Sequence, residues 1–197
     1  MKKVILCTAF LLLVTTAIAQ SWNEKPTRRS WYKNEFFLAP GYFFDGTFAI
    51  GYQYNAQLFS FSLMPSFTLS QSSLGSEREG WGVEAIGKVL FSKMPKKAQI
   101  YAGPYVGYRF LNETGSYYDE SLPIEGETSY SIVNAGVLFG MHFMWGRFTM
   151  DFNFGGGVRY PTVSGFCSRQ GNVPNDFGEI GYKGMVPKGN LTFGVAF

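Results

Sequence analysis

Between residues 58 and 70 the chain alternates without a break. Phe59, Phe61, Leu63, Pro65, Phe67 and Leu69 fall on one parity, and Leu58, Ser60, Ser62, Met64, Ser66, Thr68 and Ser70 fall on the other. Successive side chains of a strand point to opposite faces, so this period of two predicts a two-faced strand. The division recurs over 47–55, where Phe48, Ile50, Tyr52 and Tyr54 oppose Ala49, Gly51, Gln53 and Asn55. It returns over 148–160, where Phe148, Met150, Phe152, Phe154, Val158 and Tyr160 oppose Thr149, Asp151, Asn153, Gly155, Gly157 and Arg159. Further strands are expected over 35–44, 81–91, 98–111, 130–143 and 188–197, giving eight in an antiparallel meander.

Soluble strands usually run to about 5 or 6 residues, whereas a strand tilted across a bilayer needs about 9 to 11. The segment 58–70 suits the second case. Its less apolar parity carries small hydroxyls where a water-facing strand would carry Lys, Glu or Arg. The apolar stripe is therefore expected to meet lipid and the small stripe to line a crowded interior. The fold class that follows is all-β, an eight-stranded antiparallel up-and-down transmembrane β-barrel. Alternate connections are short, at 55–57, 92–97 and 144–147, and belong to one rim. The opposite rim is expected to carry a tight Asp45-Gly46 turn, a 71–80 link and long outer loops at 112–129 and 161–187.

Composition removes other classes. The longest apolar stretch, 4–14, is too short for a spanning helix, and 18% aromatic with 16% charged residues is not the composition of a disordered chain. Lys2 and Lys3, the apolar 4–14 and the small-residue pattern Ala17-Ile18-Ala19 read as a signal peptide over 1–19, cleaved after Ala19. Cys7 lies too early in that apolar run to be a lipidation site. Without Lys2 and Lys3 there remain 15 basic and 14 acidic residues, so nucleic acid is not an expected partner. Residues 20–34 form a polar, flexible periplasmic arm, and the barrel domain covers 35–197.

The chain closes with Leu191, Phe193, Val195 and Phe197 on one parity and Asn190, Thr192, Gly194 and Ala196 on the other. This closing pattern resembles the last strand of bacterial outer-membrane barrels of the OmpX, OmpW and OmpA-barrel kind. The resemblance implies recognition by the barrel-assembly machinery and residence among outer-membrane lipid and lipopolysaccharide. Asn134-Ala135-Gly136-Val137-Leu138-Phe139-Gly140 and Gly155-Gly156-Gly157-Val158-Arg159-Tyr160 are most similar to barrels of Bacteroidetes-type bacteria. The OmpW likeness implies one alternative, a narrow conduit for small hydrophobic molecules. Another is a soluble, secreted calycin-like barrel with its aromatic stripe turned inward around a ligand.

On the interior parity stand Glu84, Lys88, Arg109, Asp151 and Arg159, which with Tyr101 and Tyr105 are expected to form a polar plug. Buried ions must pair, so Arg109 is expected to balance an acid. Catalysis is not expected: the single histidine, His142, has Gly140 and Met144 as same-face neighbours and no serine placed beside it. One His and the lone mature Cys167 give no metal-ligand spacing, and no cofactor is implied. The segment 112–129 holds Glu113, Asp119, Glu120, Glu125 and Glu127 without a basic residue and reads as a solvated outer loop kept off the anionic lipopolysaccharide surface, the alternative being a site for divalent cations or a basic partner. Trp31, Tyr32, Trp81, Tyr130, Trp145 and Tyr160 are expected to form interfacial girdles, with Lys93, Lys96 and Lys97 at the inner rim.

Overall fold

The computed structural model describes residues 32–40, 46–56, 58–73, 76–91, 98–119, 122–165 and 182–197. The expected signal and most of the expected arm, the Asp45 half of the first turn, Lys93, Lys96, Lys97 and Cys167 lie outside these residues. Eight strands follow one another as β1 (Asn34–Leu38), β2 (Thr47–Asn55), β3 (Phe59–Ser73), β4 (Ser76–Leu90), β5 (Ala98–Asp119), β6 (Leu122–Trp145), β7 (Phe148–Gly165) and β8 (Gly184–Ala196). Each pairs with its sequence neighbours, and β1 closes on β8, so the sheet is an antiparallel closed barrel with no open edge strand.

The two faces separate as the parity requires. Phe59 is 60% exposed, Phe61 54% and Phe154 57%, while Ser60, Ser62 and Ser66 are buried. The apolar stripe thus lies on the outside of the cylinder, the reverse of the arrangement a calycin-like ligand barrel needs. The inward parity is small because large rings fold over it from the neighbouring strand. Phe37 is paired with Gly51, Tyr101 with Gly140 and Tyr105 with Gly136. A Cβ at any of those glycines would overlap the ring that covers it.

At the short-turn end, Trp145 and Phe148 are bridged by Gly146-Arg147, and Gly146 adopts φ 61°, which a two-residue hairpin favours. Rings gather there: Trp145 stacks between Phe143 and Phe148, and Phe148 stacks on Phe193. The closing seam ends in the same belt, where the Phe197 N–H donates to the Asn34 carbonyl at 2.8 Å and the Phe36 and Phe197 rings stack 5.4 Å apart.

The strands depart from expectation mainly at the other end. Residues 112–129 are not a loop: β5 and β6 stay in register from Asn112↔Ser129 to Asp119↔Leu122, as a hairpin taller than its neighbours. The 71–80 link is likewise mostly strand, with β3 and β4 paired up to Ser73↔Ser76 after a register shift between Thr68 and Gln71. Residues 161–165 extend β7, which shortens the last outer connection. Polar alternation such as Arg78, Glu113 and Thr128 carries no apolar stripe, so the hydropathy period fades where the ladder continues. In contrast β1 stops at Leu38, short of the expected 35–44, and Asn34 begins it rather than ending the arm. The wall is therefore low at β1 and β2 and high at β4 to β7.

Candidate functional site

The interior is filled in layers. Nearest the short turns, Lys88 on β4 reaches across to Asp151 on β7, with Nζ to Oδ2 at 2.7 Å, and donates a second bond of 2.6 Å to the Gln53 amide oxygen. The Tyr101 hydroxyl donates to the other Asp151 oxygen at 2.6 Å, and the Lys88 ammonium lies 4.8 Å from the Tyr101 ring centre. Thr149 donates to Glu35 at 2.6 Å. Between the two carboxylates sits the His142 ring, 2% exposed, with Nε2 3.7 Å from Glu35 and Nδ1 3.5 Å from Asp151. The imidazole keeps two like charges apart, and Asp151, holding both Lys88 and Tyr101, meets the demand that a buried ion be paired and further hydrogen-bonded.

Above this layer Glu84 on β4 is bridged to Lys188 on β8, and the Lys188 ammonium lies 4.5 Å from the Tyr105 ring centre. Met64, Ile86 and Leu138 fill the spaces around these groups. Arg109 and Arg159 line the cavity over them, and Leu111, Tyr130 and Ile132 pack as an apolar cluster on the tall side. Higher again, Arg78 bonds Glu113 at 3.0 Å through both Nε and Nη2.

All seven interior residues named from sequence lie on the inward parity. Glu84 is bridged to Lys188, and Asp151 to Lys88. Glu35, Gln53, His142 and Lys188 were missed although each stands on the inward parity, a signal the sequence carried. His142 is enclosed by carboxylates from β1 and β7, and the hydroxyl of Thr149 is committed to Glu35. Glu113 does have a basic partner, supplied by β4, which the composition of 112–129 alone could not reveal. Tyr130 is buried and turned inward, so it belongs to the interior and not to a girdle; Trp81, Trp145 and Tyr160 do face outward. Leu191 and Phe193 are half-buried on the outer face of β8, beside the more exposed Val195 and Phe197. Among the described residues no group of three His, Cys, Asp or Glu side chains is placed to hold a metal ion.

No family model matches the chain, and no curated protein matches it. Among solved structures it is similar to the N-terminal β-barrel domain of OprF from Pseudomonas aeruginosa, at 10% identity over 84% of this chain and 98% of that chain, with a TM-score of 0.39.

Proposed function

We propose that this chain is an integral outer-membrane barrel, exported by residues 1–19 and acting without catalysis as a structural or surface-interaction protein. The observation that carries the reading is the outward apolar stripe, present on every strand of a ring that leaves no strand edge open. A cylinder exposing Phe59, Phe61, Phe67, Phe139 and Phe154 together would aggregate in water, and hydrocarbon satisfies that surface. The Lys88–Asp151 bridge across the interior supports a plugged barrel over an open hydrophobic conduit. The ring belt around Trp145 suits one bilayer interface, and Leu191, Phe193, Val195 and Phe197 present a pattern for the assembly machinery. Lipopolysaccharide and lipid are then the surroundings, with the β5–β6 hairpin projecting outward.

The test is fractionation followed by gel mobility. The protein should be recovered from membranes only with detergent and migrate faster unboiled than boiled. Recovery in a soluble periplasmic fraction would reject the reading.

A further inference from the structure

Two lysine–carboxylate pairs cross the interior, and their surroundings differ. In the upper pair Lys188 meets one oxygen of Glu84, and the other oxygen, Oε1, is buried without a hydrogen bond. In the lower pair Lys88 meets Asp151 Oδ2 at 2.7 Å. There the far oxygen, Oδ1, accepts two hydrogen bonds, one of 2.6 Å from the Tyr101 hydroxyl and one of 3.2 Å from the Asn153 amide. His142 sets Nδ1 3.5 Å from Oδ2, and its Nε2 lies 3.7 Å from Glu35. Neither ring nitrogen makes a hydrogen bond, although the ring is buried. Buried polar atoms are ordinarily satisfied, so two idle nitrogens beside a reactive pair call for an explanation.

An amine against one carboxyl oxygen, two donors on the other, and an imidazole backed by an acid are the parts that acyl transfer needs. We propose that Lys88 and Asp151 condense to an amide inside the folded barrel, making a covalent staple between β4 and β7. One ammonium proton passes to Oδ2 along the 2.7 Å bond and leaves a neutral amine beside a neutral acid. Burial eases this shift, because holding two ions away from water is costly and the neutral pair escapes much of that cost. The amine nitrogen attacks Cγ, and Tyr101 and Asn153 hold the charge that develops on Oδ1. His142 Nδ1 takes the second proton from the nitrogen and delivers it to Oδ2, which departs as water. Glu35 is a positioning residue that faces Nε2 and steadies the imidazolium. One ammonium and one carboxylate thus give one amide and one water, with no oxidant or co-reactant. Only the neutral pair reacts, so the step is slow beside folding: freshly refolded chain carries the ion pair, and aged chain carries the amide. The Glu84–Lys188 pair has no donor on Oε1 and stays ionic, since the chain's single histidine lies with Asp151.

The full chain is refolded in detergent, shown to be folded by its unboiled gel mobility, held for days, and then denatured for intact mass and tryptic digestion. The proposal expects a chain lighter by one water and a digest in which 79–93, uncut after Lys88, is joined to 148–159. A succinimide at an aspartate also loses one water, and the joined peptide separates the two. Lys88→Arg keeps the cation and should retain the full mass. Tyr101→Phe removes one donor to Oδ1 and should slow the conversion about a hundredfold, and His142→Gln should slow it at least as much. The parent chain carries the test if a variant does not fold. A folded, aged parent chain at full mass, loss of water without the joined peptide, or conversion at the parent rate in folded Tyr101→Phe and His142→Gln would overturn the proposal.

Discussion

Lys88 on β4 and Asp151 on β7 meet at 2.7 Å although three strand-to-strand steps of the sheet separate them. The bond therefore spans the interior and does not run along the wall. It ties opposite sides of the cylinder together at the level where Tyr101 and Gln53 also converge.

Removing only one member of that pair should be costly. Lys88→Met leaves the Asp151 carboxylate buried without its cation and should lower stability by about 3 to 5 kcal/mol. The double variant Lys88→Met with Asp151→Leu should recover most of this. Urea unfolding in detergent micelles reads both, and additive losses in the double variant would show that the two side chains do not act as a pair.

Outward positions should tolerate charge according to depth. Phe154 lies midway along β7, whereas Phe61 pairs with Tyr54 close to the short-turn rim. Phe154→Arg should cost about 2 to 4 kcal/mol and Phe61→Arg distinctly less, as expected for lipid-facing sites at the midplane and near an interface. Equal, small losses at both positions in lipid vesicles would mean that neither meets hydrocarbon.

The ring-over-glycine contacts make a third prediction. Gly140→Val forces a side chain into the space of the Tyr101 ring and should cost about 1 to 3 kcal/mol through overpacking. Tyr101→Ala in the same chain should relieve part of the loss. A Gly140→Val unfolding midpoint equal to that of the parent chain would contradict the close approach.

At the seam, Phe36→Ala and Phe197→Ala both remove the stacked ring pair and should each lower stability by about 0.5 to 1.5 kcal/mol beyond the loss of buried area. If the closing pattern also guides assembly, Phe197→Ala alone should reduce the heat-modifiable fraction made in cells. Equal yields from the two variants would confine Phe197 to a packing role.

The fold was legible because one face of each strand is apolar and the other is small, and Phe59 to Leu69 repeats this too often to be accidental. The strand tops were not legible: beyond Leu111 and above Tyr130 the ladder carries polar residues on both faces, and a hairpin held by backbone bonds reads as a loop. Interior membership followed from parity, but partnership did not. Glu84 and Lys188 come together only when β8 curls round to face β4, a relationship set by closure of the ring. The surroundings of His142 are not legible along β6, because the groups that enclose it arrive from β1 and β7.

The most direct measurement of the outward stripe uses nitroxide labels in a Cys167→Ser chain reconstituted in lipid vesicles, placed by Leu63→Cys, Phe154→Cys and Glu127→Cys. Leu63 and Phe154 sit on the outer face of the apolar belt, and Glu127 is exposed on the hairpin beyond it. Labels at 63 and 154 should collide frequently with oxygen dissolved in the bilayer and rarely with a water-soluble nickel chelate, and the label at 127 should show the reverse. Frequent chelate collisions at 63 and 154 would place the apolar stripe in water and contradict the account.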